Sequence, residues 1–377
     1  MEVVKFADIV SRVNTKEDRF NTDKIYYVGG DHIDSNELMV RQRGIIKGST
    51  IGPMFYCGFK AGDILFVTRN PHLRKCAVVD FDGICSEKTF VLATKDSSKL
   101  LQEYLALIMQ SDEFWAYCDE NKSGGVNFFL NWSTLAEYEF ALPSIEEQKV
   151  LADKLWAAYK VKESYRQLLS TTDEMLKVKF QEMFGDPFTN SKKWKEYGPF
   201  SKYTEIILGT TPKSSEPSFW DGNVLWITPA EMNDEVVLYE DTIRHITLEG
   251  AKSAHLSILP KGTVLFSTRA PIGKVGIVGK EMYCNQGFKN FHCGELLNEY
   301  YLYYSLLQNR EYLQSLGTGS TFKELSKSTI EKLCIAVPPI EQQLDFERVF
   351  TQAEATKASL RASIEAIDKV IRSLINQ

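Results

Sequence analysis

The feature that most constrains the fold of this chain is an internal repeat. The stretch LFVTRNPHLRKCAVV (residues 65–79) returns about 200 residues later as LFSTRAPIGKVGIV (residues 265–278). Likewise, LNWSTLAEYEFALPSIEEQ (residues 130–148) is matched by LSKSTIEKLCIAVPPIEQQ (residues 325–343), so the order of the segments is preserved. A period of this length is far too long for a solenoid and indicates two similar domains.

Each copy has the pattern of a short mixed domain that ends in a long helix. Brief apolar runs bounded by Gly, Pro and Asp predict strands, and LLQEY (residues 100–104) and LLNEY (residues 296–300) mark equivalent helical stretches. A Gly/Ser-rich loop follows, KSGGVN (residues 122–127) in one copy and GTGSTF (residues 317–322) in the other. A last strand then leads through proline into the long helix, which predicts an α+β fold.

The two long helices carry the strongest periodicity in the chain. Alternating steps of four and three residues select mostly apolar positions over about four heptads, which is typical of a coiled-coil seam, although the first helix has three polar seam positions. Lys162 and Lys357 occupy the same step in the two copies. The predicted seam residues are Leu151, Leu155, Leu169, Leu176, Phe346, Phe350, Leu360, Ile364, Ile367 and Ile371. The side chains expected to complete the stripe of the first helix are Trp156, Leu168, Met175 and Phe180.

One amphipathic helix cannot bury such a stripe alone, so we expect the two long helices to cover each other. The alternative is two separate surface helices, each lying on its own domain. At 1.5 Å per residue, roughly thirty residues make each helix about 45 Å long. A pair of this length would act as a rigid spacer between the two domains.

The composition is that of an ordinary globular protein. Of 377 residues, 44% are hydrophobic and 25% are charged, and no apolar run predicts a membrane span, so we expect a cytoplasmic protein. The seven cysteines form no C-x-x-C pair, so neither a disulfide framework nor a metal site is predicted. The net charge of −6 argues mildly against non-specific coating of nucleic acid, although a local basic surface is compatible with it.

The sequence contains no pattern that predicts a catalytic site. It has no P-loop, no H-E-x-x-H and no G-x-S-x-G. The glycines of IGKVGIVG (residues 272–279) do not have the G-x-G-x-x-G spacing, and the first copy has Leu73, Cys76 and Val79 in their place. We therefore expect a strand and a turn there, and no enzymatic activity in this chain.

Recognition of DNA fits the predicted architecture better. Two similar domains on a stiff rod suit half-sites about one helical turn, ~34 Å, apart. Polar and cationic loop residues supply groups that contact phosphates and bases. Each of them also fits a solvated surface loop, and Arg69 and Arg269 also fit a structural role that ties a turn to backbone carbonyls. The candidate DNA contacts are Lys16, Arg69, Arg74, Lys75, Ser123, Gly124, Thr211, Lys213, Ser214, Arg269, Lys274, Thr318, Ser320, Thr321 and Lys323.

Both halves resemble the specificity (S) subunits of type I restriction-modification systems. The resemblance is carried by WITPAEM (residues 226–232), LPKGTVLFSTRAPIGKVGIV (259–278), CNQGFKNF (284–291), GSTFKELS (319–326) and VPPIEQQ (337–343), followed by a long helix. It covers essentially the whole chain and is strongest in the second half. It implies an α+β fold with two repeated mixed α/β target recognition domains joined by two long antiparallel coiled-coil helices. The implied limits are 1–144 for the first recognition domain, 145–186 for the central long helix, 187–338 for the second recognition domain and 339–377 for the C-terminal long helix.

The resemblance also implies a function. The chain would bind a bipartite DNA target and dock methyltransferase (M) subunits, expected to be two, and restriction (R) subunits, with no catalysis and no cofactor of its own. S-adenosylmethionine would belong to the methyltransferase partner, and ATP and Mg to the restriction partner. Because CSEKTF (residues 85–90) stands where the second copy has CNQGFK (residues 284–289), we expect a non-palindromic target. The alternatives are a coiled-coil scaffold or adaptor that binds no DNA and, third, a nucleic-acid-processing enzyme.

Overall fold

The chain forms two compact units that both include parts of the long helices. The computed structural model describes residues 2–269, 271–318 and 324–376. One unit is formed by Met1–Leu168 together with Leu360–Gln377, and the other by Leu169–Ser359. The first unit is therefore discontinuous in sequence.

The first unit consists of short strands, short helices and part of each long helix. Its strands are Glu2–Lys5 (β1), Val10–Val13 (β2), Thr15–Lys16 (β3), Tyr26–Val28 (β4), Gly44–Ile45 (β5), Phe55–Phe59 (β6), Ile64–Val67 (β7), Cys76–Val78 (β8), Gly83–Ser86 (β9), Thr89–Thr94 (β10) and Glu139–Leu142 (β11). Its helices are Phe6–Ile9 (α1), Gln102–Ile108 (α2), Asp112–Glu120 (α3), Trp132–Ala136 (α4) and the first part of Ile145–Phe184 (α5), with 3-10 turns at Gly30–His32 and Pro71–Leu73.

The strands of the first unit form a four-stranded sheet of order β2-β10-β7-β8, a five-stranded sheet of order β3-β6-β9-β4-β5, and the pair β1-β11. In the five-stranded sheet β4 and β9 run parallel, with Val28 opposite Cys85. An aromatic core packs against the four-stranded sheet, where the rings of Phe66 and Trp115 stack at 5.6 Å. This core fixes the end of β7, from which the candidate site extends.

The second unit has strands, short helices and the remaining parts of the long helices. Its strands are Glu196–Pro199 (β12), Thr204–Leu208 (β13), Trp220–Ile227 (β14), Leu238–Tyr239 (β15), His245–Ile246 (β16), Val264–Phe266 (β17), Val275–Val278 (β18), Tyr283–Cys284 (β19), Lys289–Cys293 (β20) and Cys334–Val337 (β21). Its helices are Phe200–Tyr203 (α6), Leu248–Ser253 (α7), Glu299–Gln308 (α8), Arg310–Ser315 (α9), Lys327–Lys332 (α10) and most of Ile340–Ile375 (α11), with a 3-10 turn at Pro217–Phe219.

The second unit repeats the topology of the first. Its sheet of order β13-β20-β17-β18-β15 contains the counterpart of β2-β10-β7-β8, and β12-β21 is the counterpart of β1-β11. The parallel pair β4-β9 returns as β14-β19, where Ile227 lies opposite Cys284 as Val28 lies opposite Cys85. The prediction of two repeated mixed domains is confirmed at this level.

The long helices contribute to the core of each unit. In the first unit Leu155 of α5 shares an apolar cluster with Ile371 of α11. In the second unit Leu176 of α5 shares a cluster with Phe346 and Phe350 of α11. Of the predicted seam residues, the buried ones are Leu155, Leu176, Phe346, Phe350 and Ile371, and the half-buried ones are Leu151, Leu169, Leu360, Ile364 and Ile367.

Two side chains expected to complete the stripe of α5 do not do so. Leu168 is 50% exposed and Met175 is 49% exposed, whereas Phe180 is fully buried. Successive residues of a helix lie about 100° apart, so a residue next to Leu169 or Leu176 faces a different direction. The sequence prediction was therefore wrong for Leu168 and Met175. Among the described residues, no helix combines the length and apolarity that crossing a membrane requires.

The lysines predicted at equal steps of the seam are buried and paired with acids of the other long helix. In the first unit the ammonium of Lys162 lies 2.6 Å from Asp368. In the second unit the ammonium of Lys357 lies 2.7 Å from Asp173. In each helix the aspartate follows the lysine by eleven residues, so each unit contains the same ion pair with the helices exchanged.

Candidate nucleic-acid interface

In the first unit the Gly/Ser-rich loop forms a narrow hairpin, which we call the first finger (residues 123–129). Ser123 and Phe129 close it with two backbone hydrogen bonds of 2.9 Å. The neighbouring amide of Leu130 donates to the carbonyl of Thr68 at 2.9 Å, which ties the finger to the end of β7. Gly124 has φ +100°, and a Cβ there would lie 2.6 Å from the carbonyl oxygen of Asn127, so only glycine fits.

The tip of the first finger lies in solvent. Val126 is 92% exposed, and Gly124 and Gly125 are exposed as well. Exposed backbone amides at such a tip can donate to phosphate oxygens, and a protruding loop can enter a groove of the duplex. The finger therefore has the shape and the donors that a contact with nucleic acid requires.

The second unit has the same closing hydrogen bonds in the equivalent place. Thr318 and Glu324 exchange backbone hydrogen bonds of 3.1 and 2.9 Å, and the amide of Leu325 donates to the carbonyl of Thr268 at 3.0 Å. We call residues 318–324 the second finger. Its predicted contacts Ser320, Thr321 and Lys323 lie outside the described residues, whereas Thr318 lies at its base.

An arginine stands at the base of each finger, immediately after the threonine that anchors it. The Cζ atom of Arg69 lies 5.2 Å from the centre of the Phe129 ring. In the second unit the Nε of Arg269 donates to an oxygen of Glu324 at 3.1 Å. Both arginines are exposed, and neither ties the turn to backbone carbonyls among the described residues.

Other predicted cations have partners within the chain. The ammonium of Lys75 donates to the carbonyl of Gly30 at 2.6 Å, and that of Lys274 donates to the carbonyls of Pro229 and Met232 at 2.8 and 2.7 Å. The two lysines occupy equivalent places and hold equivalent turns, a structural role that the sequence interpretation did not include. Their assignment as DNA contacts remains a prediction.

The remaining cations of the list lie on the surface. Arg74 pairs with Asp112 at 2.6 Å, which occupies part of its guanidinium. Lys16 lies exposed on the short strand β3. Lys213 is exposed in the long polar loop of the second unit, next to exposed Ser214. Lys16 and Lys213 thus present exposed charges of the kind that neutralise phosphates.

The long polar loop of the second unit (residues 209–223) is backed by aromatic residues. The guanidinium carbon of Arg244 lies 4.3 Å from the ring centre of Trp220 and 5.2 Å from that of Trp226. Thr211 donates from its hydroxyl to the side-chain oxygen of Gln286 at 2.5 Å. The tryptophans were visible in the sequence as aromatics near a polar loop, but the contribution of Arg244 and Gln286 depends on long-range contacts.

The two units differ in charge at one equivalent position of their sites. The structural match of Cys85 with Cys284 places Glu87 where the second unit has Gln286. A hydrogen bond from Lys88 and another from Tyr56 (2.7 and 2.8 Å) hold the pKa of Glu87 below its usual value. The first site therefore presents a carboxylate where the second presents an amide, and these groups accept and donate different hydrogen bonds.

Comparison with known proteins identifies the family. A family model described as the type I restriction modification DNA specificity domain matches residues 1–169 and 203–367. The type I restriction enzyme MjaIX specificity subunit of Methanocaldococcus jannaschii is 33% identical over 48% of this chain, and the match covers 42% of that relative, less than half its length. The MjaX specificity subunit of the same organism, described as putative, is 21% identical over 100% of this chain and 92% of its own length.

Solved structures share the fold. The S subunit of a type I restriction-modification system from M. genitalium has a TM-score of 0.60 and 11% identity, over 99% of this chain and 94% of that one. A chain from a study of complex assembly and conformational transition of the type I system has a TM-score of 0.59 and 20% identity, over 99% and 96%. The family match covers most of the chain, and the chain therefore belongs to the specificity subunits of type I restriction-modification systems.

Proposed function

We propose that this chain is the sequence-specific DNA-binding subunit of a type I restriction-modification complex, with a bipartite, non-palindromic target. Residues 1–144 and 187–338 would each recognise one half-site. The observation that carries the proposal is the repetition of one finger and one arginine on two domains whose surrounding side chains differ. A repeated scaffold suits the repeated backbone of DNA, and unequal side chains suit two unequal half-sites.

We further propose that residues 145–186 and 339–377 form an antiparallel coiled coil that sets the gap between the half-sites. Within the first unit, the early part of α5 shares a core with the late part of α11. Within the second unit, the late part of α5 shares a core with the early part of α11. The two lysine–aspartate pairs support the same register, because each joins one helix to the other at a fixed position.

The proposed partners are two methyltransferase subunits and the restriction subunits. An outward stripe of α5 supports docking of a partner helix, because Val161, Leu168, Met175 and Val178 recur at helical spacing and are between 44% and 56% exposed. We propose that this chain contributes no catalysis, that S-adenosylmethionine binds to the methyltransferase partner, and that ATP and Mg bind to the restriction partner. Because the proposed complex acts on DNA, we propose that it works in the cytoplasm.

Selection from a random duplex library tests the proposal. The chain, purified together with its methyltransferase partner, should enrich two different half-sites separated by a fixed gap. Methylation should require the partner and S-adenosylmethionine, and the isolated chain should neither methylate nor cleave DNA. Enrichment of no common sequence would contradict DNA recognition, enrichment of a palindrome would contradict two unequal half-sites, and turnover by the isolated chain would contradict the non-catalytic role.

A further inference from the structure

Each arginine at the base of a finger contacts the residue at the same position of its finger. The two contacts differ in chemistry. The residue that pairs with Ser123 or Thr318 to close each finger is Phe129 in the first and Glu324 in the second. That residue also forms a backbone bridge to the arginine, Arg69 or Arg269. Each finger thus ends in a side chain placed against its own arginine.

In the second unit Glu324 is itself fixed from the protein side. The ammonium of Lys289 donates to one carboxylate oxygen at 3.2 Å and to the hydroxyl of Thr268 at 3.0 Å. The Lys289 side chain is only 8% exposed, so its position is well defined. Burial alone would raise the pKa of Glu324, but the hydrogen bonds and charges of Lys289 and Arg269 outweigh it and lower this pKa. The carboxylate therefore stays ionised and oriented.

The hydrogen bond to Glu324 engages only one nitrogen of the Arg269 guanidinium among the described contacts. Only Nε donates to Glu324, and the two terminal amino groups have no hydrogen-bond partner among the described residues. The Arg269 side chain is 49% exposed. A guanidinium held through Nε presents its two terminal groups in a fixed plane, and this plane fits the O6 and N7 acceptors of guanine in the major groove.

In the first unit stacking takes the place of the ion pair. Arg69 lies over the Phe129 ring, and within the described parts of the chain its guanidinium N–H groups have no hydrogen-bond partner, so they can donate outward. The position of Lys289 is occupied in the first unit by Phe90, so no lysine stands there to hold a carboxylate. The two arginines are therefore oriented from equivalent sites by unrelated interactions.

We propose that Arg69 and Arg269 are base-reading residues, one for a guanine in each half-site, and that Phe129 and Glu324 are their positioning residues. The assignment rests on the proposed function and deepens it, because it separates base contacts from phosphate contacts. A phosphate contact needs only a charge at the right distance. An arginine oriented by a dedicated neighbour is suited to discrimination between bases.

The experiment uses the full chain with its methyltransferase partner and the duplex that the wild type selects from a random library. Each base pair of that duplex is changed in turn, and binding is measured for the wild type, Arg269→Ala, Arg269→Lys and Glu324→Gln. Arg269→Ala should reduce discrimination at one G·C pair of one half-site by roughly 5- to 100-fold. Discrimination elsewhere and the salt dependence of binding should change little.

The lysine and glutamine variants separate positioning from charge. Arg269→Lys keeps the charge but loses the planar pair of donors, so discrimination at the same base pair should fall while affinity for mismatched DNA is kept. Glu324→Gln should also weaken discrimination there, without weakening binding to mismatched DNA. Lys202→Ala, which removes another exposed cation of the second unit paired with a glutamate, should leave the preferred sequence unchanged. Arg69→Ala and Phe129→Leu should give the corresponding results in the other half-site.

Three results would overturn the assignment. Equal loss of affinity for all duplexes in Arg269→Ala, with a salt slope shallower by about 0.9, would make Arg269 a phosphate contact. Unchanged discrimination in Glu324→Gln, with thermal stability equal to that of the wild type, would remove the positioning role. If the wild type selects no common sequence, the proposed function fails before the variants are compared. Each failure is thus separately visible.

Discussion

At the scale of single residues, the repeat is expressed as side chains that make the same hydrogen bonds in both units. Gln148 and Gln343 are both fully buried one turn into their long helices. The side-chain Nε2 of Gln343 donates to the carbonyls of Leu296 and Pro338 at 2.9 and 2.6 Å. Its Oε1 accepts from the backbone N–H of Asn298 at 2.9 Å. The glutamine in the strand–proline–helix junction therefore locks the start of the helix to its domain.

Replacing Gln343 by Leu should destabilise the protein, because three backbone groups would lose their partners, and two of the lost hydrogen bonds are buried. Each group left unsatisfied costs about 1–3 kcal/mol. We expect a lower midpoint of chemical unfolding than that of the wild type. Gln352→Leu, at an exposed position of the same helix, should change the free energy of unfolding by less than about 0.5 kcal/mol. Equal midpoints for the two variants would show that the Gln343 contacts contribute little.

These hydrogen bonds also show where sequence alignment of the two copies went wrong. Gln148 donates to the carbonyl of Lys99 as Gln343 donates to that of Leu296, so Lys99 and Leu296 are equivalent. The similarity of LLQEY to LLNEY instead matches Leu100 with Leu296, one residue off. Two adjacent leucines give the sequence no means to choose the register, whereas burial and hydrogen bonding do. The internal roles of Lys75 and Lys274 could not be predicted from the sequence either, because their partners are backbone carbonyls more than 40 residues away.

Glu37 provides a second prediction at this scale. Its carboxylate accepts from Arg166 at 2.8 Å and lies 2.6 Å from Arg41 and 3.2 Å from Lys162. Burial alone would raise the pKa of Glu37, but these cations outweigh it and lower the pKa from 4.5 to about 2. Because the pKa is lower in the folded state, this stabilisation is present above pH 4.5 and is lost as the pH falls toward about 2.

Glu37→Gln should therefore remove about 1–3 kcal/mol of stability at neutral pH, after allowance for solvent screening, and much less at pH 2.5. Chemical unfolding at several pH values measures the difference from the wild type. Glu174→Gln, at an exposed position of α5, serves as the control and should have a small effect at every pH. A difference for Glu37→Gln that stays constant with pH would show that the network acts by packing and not by charge.

At the scale of elements, the long helices are the best predicted part of the fold and the part where prediction has a clear limit. The heptad pattern located Leu155, Leu176 and Ile371, because burial in a helix follows its period. It did not predict that Leu168 and Met175 face outward, since a second apolar stripe on the same helix blurs the pattern. In the sequence, only the Gly and Ser residues indicated loops at the fingers. Their anchoring to Thr68 and Thr268 could not be predicted, because it joins residues far apart in the chain.

A pair of neighbouring residues on α11 tests the helix core of the first unit. Ile371 is 6% exposed and Val370 is 52% exposed. Ile371→Ala should lower the free energy of unfolding by about 2–5 kcal/mol, because it leaves a cavity in the apolar cluster that contains Leu155. Val370→Ala should change it by less than about 0.5 kcal/mol. Thermal unfolding of both variants measures the difference, and Ile371→Ala should have the lower melting temperature. Similar melting temperatures would mean that this part of α11 is not packed.

At the scale of the whole molecule, the proposed division of labour predicts that the gap and the half-sites can be changed separately. Seven extra residues between the lysine and the aspartate of each long helix keep both ion pairs and lengthen each helix by about 10 Å. At 3.4 Å per base pair this corresponds to about three base pairs. Sequencing of methylated DNA from cells carrying the variant should show unchanged half-sites and a longer gap.

The converse change uses a domain exchange. Replacement of residues 187–338 by the corresponding domain of another family member should alter one half-site and leave the gap and the other half-site as they were. The same sequencing of methylated DNA measures the half-sites and the gap.

The heptad insertion has an outcome that would contradict this division. Altered half-sites with an unchanged gap after that insertion would show that the helices do not set the spacing.

The discontinuous first unit has a consequence for how the protein is made. The apolar cluster that contains Leu155 and Ile371 cannot be completed until residues 360–377 have been synthesised and have left the ribosome. Almost 200 residues separate Leu168, the end of the first segment, from Leu360. At about 5–20 residues per second, that takes roughly 10–40 s. During this time the apolar face of α5 is synthesised but uncovered, and the nascent chain presents it to any helix or chaperone nearby. The C-terminal long helix therefore completes the core of the first unit only after the second unit has been synthesised.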